Sequence, residues 1–319
     1  METSELLRNI INLPIFSSGL AEEMLSGNFR SIFKGQGMEF DEARHYQAGD
    51  DIRSIDWNAS ARFGYPFVKM YREERELTIL LLIDISASMH CSGRLYTETS
   101  EQKKSLLNSY EQALICASLI AFSAEHTGQQ VGAFFFDKEI EKVFPPRKGR
   151  KHIMPLIMAA LQYQNNNQHK QSTQTTKVKY GSNINCALTG AQQLLKKRSL
   201  VILISDFFSI NWEHEMGILC RKHDCTAIRI CGPKNVPYPG LVTIEDPETG
   251  IRIEAPAGLD SFQESWEAWH NERTIFLESQ CKKNGASFLD ISTETDAPAA
   301  LMKFFGSRNS SAFKNRKKI

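Results

Sequence analysis

Several signatures of catalysis are missing from this chain. There is no Gly-x-x-x-x-Gly-Lys-Ser/Thr loop, which excludes the usual phosphate cradle of a nucleotide hydrolase. A Gly-x-Ser-x-Gly elbow and a credible Cys/His nucleophile pair are also missing. Apolar runs are short: ALICASLIAF, residues 113–122, is about half the length of a bilayer-crossing helix. The opening METSELLRNIINLP has no basic n-region, so no signal peptide is expected and the location is expected to be cytoplasmic. Attachment to a membrane, if any, is then left to a partner. Charge is nearly balanced, 38 Lys and Arg against 37 Asp and Glu, and the net +1 gives no general reason to bind nucleic acid or an anionic membrane. The 7 cysteines are odd in number and form no Cys-x-x-Cys pair, which argues against a disulfide framework. Cys220, His223 and Cys225 invite a zinc reading, but a helix-to-strand transition through them would aim the side chains apart.

What is present centres on LTILLLIDISASMH, residues 77–90. An apolar run of strand length ends at Asp84, and hydroxyls follow at Ser86 and Ser88. One carboxylate and two neutral hydroxyls from one loop are hard oxygen donors, suited to Mg2+ or Mn2+. The structural alternative is that the two serines cap a following helix while Asp84 closes a loop. Two further stretches favour the metal. GSNINCAL, residues 181–188, places Ser182 on a loop at a helix start, and SLVILISDFF, residues 199–208, is a second buried strand ending at Asp206. In a parallel α/β sheet, sites lie outside the carboxyl ends of the strands, so Asp84 and Asp206 would share one edge.

The set Asp84, Ser86, Ser88, Ser182 and Asp206 resembles the metal-ion-dependent adhesion site of von Willebrand factor type A domains, whose pattern is Asp-x-Ser-x-Ser, then Thr, then Asp. Ser182 stands in the Thr position; it keeps the ligand hydroxyl and loses a methyl group. The stretch at 37–76 is similar to the signature of the bacterial domain-of-unknown-function 58 family, through Glu39, Phe40, Arg44, Tyr46, Gly49, Asp50, Asp51, Arg53, Asp56, Trp57, Ala61, Arg62 and Glu74. SFLDIST and PAALMKFFGSR extend the resemblance towards the far end. It implies a doubly wound, mostly parallel α/β sheet of the von Willebrand A type. It also implies a MoxR-type AAA+ ATPase as partner, the pair acting in chaperone-like assembly or in stress or envelope functions.

Along the chain, residues 1–76 are expected to form an N-terminal helix followed by a charged layer of turns and small strands. In that layer Asp50, Asp51, Arg53, Asp56 and Arg62 crowd around Trp57, either as ion pairs fastening the segment to the main domain or as a docking surface. Residues 77–306 carry the α/β alternation, with helices expected at 101–127, to about 163, at 212–223, 259–284 and 297–305, and a hairpin around Pro-Glu-Thr-Gly. The polar insert CSGRLYTETS lies next to the metal edge, NNNQHKQSTQTTKVK at 165–179 is expected to be a loop, and 307–319 an unstructured basic tail. The basic RKGRK at 147–151 is expected to be a solvated loop rather than a phosphate-binding surface.

The expected function is a non-enzymatic interaction module. With neutral hydroxyls in the set, Asp84 and Asp206 neutralise the cation only in part, and a carboxylate from a partner or client protein can replace a water. Two alternatives stand beside it. One is a scaffold whose metal only stabilises the fold. The other is a Mg-dependent aspartyl phosphatase, which would want a second Asp where Ser86 stands.

Overall fold

The computed structural model describes residues 19–20, 38–47, 49–73, 77–91, 108–170, 182–233, 240–245 and 252–316. The expected N-terminal helix, the insert after Met89, the loop residues 171–179 and the turn of the late hairpin lie outside them. The chain divides into two compact units, 28–76 and the remainder.

In the smaller unit, β1 (Met38–His45) pairs antiparallel with β2 (Phe67–Glu73), with a bulge between Phe40 and Glu42. Between them runs a short helix, α1 (Trp57–Phe63), which Gly64 ends in the left-handed conformation, φ 75°. The acidic side chains of this segment work mostly as caps. Asp56 accepts from the Asn58 and Ala59 N–H groups, and Asp51 accepts from the Arg53 N–H at the start of a 3-10 turn. Asp50 is paired with Arg44, its carboxylate 2.7 Å from the guanidinium, and that pair holds it below the ordinary carboxylate range. Trp57, Ile52, Phe63 and Tyr65 are exposed.

The larger unit is a mixed α/β layer structure. Its strands are β3 (Thr78–Asp84), β4 (Gln130–Phe136), β5 (Ile140–Arg147), β6 (Leu200–Ser205), β7 (Asp224–Cys231) and β10 (Ser287–Ser292). They form a six-stranded sheet in the order β10-β7-β6-β3-β4-β5, parallel except for β5. β3 and β6 read as almost unbroken aliphatic runs because helices cover both faces of the sheet. The helices are α2 (Ala87–Cys91), α3 (Ser109–His126), α4 (Arg150–Lys170), α5 (Ile184–Leu194), α6 (Glu213–Lys222), α7 (Asp260–Asn284) and α8 (Ala297–Arg316). α3 packs with α4 and α8, whereas α6 packs with α5 and α7. The strand pair β8 (Leu241–Glu245) and β9 (Arg252–Pro256) is the expected late hairpin, antiparallel and separate from the main sheet. Among the described residues no helix is long and apolar enough to cross a membrane.

Alternation along the strands splits the core. Leu80, Leu82, Phe134, Phe136, Val201 and Leu203 meet Ile184, Leu188, Trp212, Met216 and Leu277 on one side. The intervening residues Ile79, Leu81, Ile83 and Phe135 are fully enclosed as well. Each large apolar side chain taken from water contributes about 1.5–3 kcal/mol, so this double-sided burial holds the sheet edge in place.

Two helices run beyond the expected ends. α4 continues past Tyr163 to Lys170, into the stretch expected to be a loop, and α8 continues past 305 to Arg316, into the expected tail. Adding a residue to an existing helix is far easier than nucleating one, so polar residues can prolong α4, and α8 continues even through Gly306. β5 carries Pro145 and Pro146 and was hidden for that reason; prolines are tolerated there because it is an edge strand.

Gly132 of β4 marks a close approach. A Cβ there would lie 2.8 Å from the Phe144 carbonyl oxygen and 2.9 Å from the Pro146 nitrogen, both backbone atoms. Gly132→Ala is therefore expected to destabilise the protein by about 1–3 kcal/mol, read from urea unfolding. An unchanged midpoint would show that β5 yields at no cost.

His223, at the end of α6, is 3% exposed, and neither ring nitrogen has a hydrogen-bond partner. Burial, then Lys222 and Arg198, push its pKa below the ordinary value. Below about pH 6.5 the unfolded chain takes up a proton that the folded chain resists, so this residue's contribution is present above that pH and is lost as pH falls. Replacing His223 with Phe is expected to flatten the decline of melting temperature from neutral pH to about pH 5. A parallel decline in both proteins would remove His223 from the account.

Candidate functional site

Strand order decides where the site sits. β3 connects onward to β4 on one side, while β6 lies on its other side, so the order reverses between β3 and β6. Crevices at the carboxyl ends of strands at such a reversal are the binding places of open α/β sheets. Ile83 is in register with Ile204, which brings the ends of the two strands, Asp84 and Ser205, side by side.

Asp84 is completely buried. Its Oδ1 accepts from the Ser86 N–H at 2.9 Å and its Oδ2 from the Ser205 hydroxyl at 2.7 Å. The Ser86 and Ser88 hydroxyl oxygens are 3.0 Å apart. Asp206 follows β6; its Oδ1 accepts from the Phe208 N–H at 3.1 Å. Ser182 reaches the same edge through its neighbours. The Asn183 N–H donates to the Asp137 carbonyl beyond β4 at 2.8 Å, and the Ile184 N–H to the Ser209 hydroxyl at 3.4 Å. Asn185 adds a side-chain hydrogen bond to the Asn211 carbonyl at 3.1 Å. Ser86, Ser88, Ser182 and Asp206 are all buried, at 2%, 7%, 7% and 4% exposure, so few waters compete for their oxygens.

Electrostatically this edge is strained. Burial, and then repulsion from Asp206, push Asp84 up to about 7, against the pull of its Ser86 and Ser205 donors. Burial also raises Asp206, while Ser88, the Phe208 N–H, Arg273 and Arg229 favour its charged form. The Ser182 hydroxyl oxygen and Asp206 Oδ2 are buried without a hydrogen-bond partner. A buried carboxylate repelled by a second, on a sheet edge that also holds two unpartnered buried oxygens, offers hard oxygen donors. Asp84, Ser86, Ser88, Ser182 and Asp206 therefore fit Mg2+ or Mn2+ by donor type. Among the described residues no group of three or more His, Cys, Asp or Glu side chains could hold a metal ion, and this set, with only two carboxylates, is of another kind.

Four contributors escaped the sequence reading. Ser205 was a lone polar residue inside an aliphatic strand, which is a usable signal. Phe207 adopts φ 60° and Asn211 φ 62°, a left-handed backbone rare outside glycine, and nothing in their identity announces it. Arg273 comes from α7, 67 positions beyond Asp206 in the chain, and donates to the Phe207 carbonyl. The alternative cluster Asp50, Asp51, Arg53, Asp56, Trp57 and Arg62 lies in the smaller unit.

Residues 42–274 match the family described as "Protein of unknown function DUF58". An uncharacterized protein of Mycobacterium tuberculosis is 27% identical over 297 residues, covering 91% of this chain and 85% of its own length. One from Mycobacterium avium is 30% identical over 129 residues, 38% of this chain and 73% of that protein. Among solved structures, proximal thread matrix protein 1 from the mussel byssus aligns with a TM-score of 0.36 at 14% identity, over 73% of this chain and 46% of that one. A structure of the same mussel protein described with a zinc-occupied MIDAS motif aligns at 0.31 and 12%, over 72% and 69%.

Proposed function

The chain belongs to the DUF58 family, and from that premise we propose that it is a von Willebrand factor A-like interaction module that docks a partner protein at a metal-bearing sheet edge. Asp84, Ser86, Ser88, Ser182 and Asp206 would hold a Mg2+ or Mn2+, which when bound offers an incoming carboxylate an exchangeable oxygen position. The observation that carries the reading is that the Ser182 and Asp206 oxygens are buried without a partner while Asp84, repelled by Asp206, is fully enclosed. The chain's own residues supply the frame. Ser205 and the Ser86 N–H fix the Asp84 carboxylate, and the Phe208 N–H fixes that of Asp206.

The module is proposed to be cytoplasmic and not an enzyme. A phosphatase built on Asp84 would want an acid two residues on, where the structure has the Ser86 hydroxyl beside that of Ser88. The proposed partner is a MoxR-type AAA+ ATPase, or a client delivered with it, on the strength of the family resemblance alone.

A pull-down from native lysate tests it, using wild type and Asp84→Ala, each with Mg2+ and with chelator, and identifying retained proteins by mass spectrometry. An AAA+ ATPase retained only by wild type with Mg2+ is the expected result. Retention indifferent to both metal and mutation would overturn metal-bridged docking and turn attention to the Asp50 to Arg62 surface.

A further inference from the structure

The loop that carries Asp206 also carries two bulky apolar side chains left open to water. Phe208 is 49% exposed and Ile210 76% exposed, two and four residues beyond Asp206. Phe208 is one rung of a ladder of near-parallel rings. It stacks on Trp269 of α7 at 6.3 Å between centroids, Trp269 stacks on Trp266 at 5.9 Å, and Trp266 on Phe262 at 6.1 Å. Residues 262, 266, 269, 273 and 276 recur every three or four positions and so line one flank of α7. Trp269 and Phe276 on that flank are 42% and 47% exposed.

Arg273 joins the ladder to the Asp206 loop. Its guanidinium lies 5.2 Å from the Phe208 ring centroid and donates to the Phe207 carbonyl, while its Nε is buried without a hydrogen-bond partner. Arg229 behind it is 2% exposed and faces Asp290 at 3.6 Å. Arg229 is answered by Asp290, whereas Arg273 is engaged with a carbonyl and a ring face, so a positive group stands at the junction of the ladder and the Asp206 loop. The edge favours one further anionic group, and the ladder favours an apolar one.

We propose that the Phe208–Trp269–Trp266 ladder is the specificity surface of the metal edge, and that its occupant is an extended partner segment carrying an Asp or Glu with a bulky apolar side chain two to four residues away. This inference rests on the metal-docking reading above. The spacing is bounded by the loop: positions two and four residues from Asp206 lie at most roughly 7 and 14 Å from it, a span that a partner covers with an apolar side chain two to four residues from its acid. Charge complementarity selects the acidic residue, and the stacked rings supply the rigid aromatic contact area that commonly dominates recognition. A bilayer fits less well. An anionic membrane surface is met by clusters of Lys and Arg, whereas Arg273 is the single cation among the five positions of this flank.

The experiment pans a phage-displayed random peptide library on the full chain with Mg2+. Enriched peptides are then measured by fluorescence anisotropy against wild type, Trp269→Ala, Trp266→Ala and Asp84→Ala. Trp269 is solvent-facing and Trp266 half-buried, and an unchanged circular dichroism spectrum with an unchanged Mg2+-induced melting shift shows that those variants fold and keep the metal edge. Enriched peptides are expected to pair Asp or Glu with Phe, Trp, Leu or Ile two to four residues away. They should lose more than about tenfold in affinity to either ladder variant and all Mg2+-dependent affinity to Asp84→Ala. Acidic peptides without an apolar neighbour, bound equally by Trp269→Ala, would overturn the ladder and leave the metal reading standing. A library yielding no Mg2+-dependent peptide would overturn both. Self-association, or cosedimentation with phosphatidylcholine/phosphatidylserine vesicles, that disappears in Trp269→Ala would reassign the surface to a second copy or to a bilayer.

Discussion

Mg2+ is expected to raise the melting temperature of the wild-type protein, and Asp84→Asn to abolish that rise without lowering the stability of the metal-free protein at pH 8. The two halves of this result have one cause. In the metal-free state Asp84 is a fully buried carboxylate facing the like charge of Asp206, and above pH 7 its ionised form opposes folding. An amide of the same shape removes that charge and keeps an oxygen for the Ser86 N–H. It also removes the anionic ligand, leaving Asp206 as the only carboxylate of the set. For a ligand that binds only the folded state, stabilisation at a hundredfold excess over Kd is about 2.7 kcal/mol, so the lost increment is large enough for ordinary calorimetry. Thermal melts of both proteins in Mg2+ and in chelator check it. A full Mg2+ shift in Asp84→Asn would sink the proposed ligand set, and a collapse of the metal-free variant would mean that Asp84 serves the fold rather than a cation.

Trp212→Ala should produce the largest loss of stability, about 3–5 kcal/mol by urea unfolding, because a whole indole leaves the core. Domains of this kind have only about 5–15 kcal/mol to lose. Trp212 is 1% exposed and meets Phe207 edge to face, with centroids 5.3 Å apart. Phe207 is the residue held at φ 60°, a conformation that costs about 1–3 kcal/mol and persists only under pressure from its surroundings. With the indole gone that backbone is expected to relax, carrying the adjacent Asp206 with it. The Mg2+-induced melting shift should therefore fall as well, while Trp212→Phe, which keeps a ring, recovers most of both. A loss under about 1 kcal/mol in the Ala variant would show that Phe207 is held by something else.

The parts of this architecture legible in the sequence are those written in local pattern. β3 and β6 announce themselves as aliphatic runs ending in Asp84 and Asp206, because strands covered on both faces have no polar alternation to disguise them. Ser182 could be placed at a helix start from Gly181 and the apolar residues after it. β5 was not legible, since consecutive prolines argue against a strand unless one already knows that it lies at an edge. Nor were the caps of the smaller unit: Asp51 and Asp56 sit among arginines and invite an ion-pair reading, and only the structure shows their carboxylates capping the short helical turns that follow. Arg273 could not be anticipated, because only the packing of α7 brings it to the Phe207 carbonyl.

The prolines of β5 carry a consequence for the protein in a crowded solution. This strand ends the sheet, and an outermost strand normally offers its free N–H and C=O groups as a template on which another chain can grow. Pro145 and Pro146 have no N–H to offer, and the register with β4 is irregular where they stand, between the pairs Val131–Arg147 and Ala133–Phe144, so this stretch of the border is a poor template. Lys142 and Arg147 on the same strand add charge to that border, with Glu141 as the one opposing acid. Recruitment into fibrils through this side of the molecule is thereby discouraged, and within the described six-stranded sheet it is the opposite border, β10, that lacks such prolines.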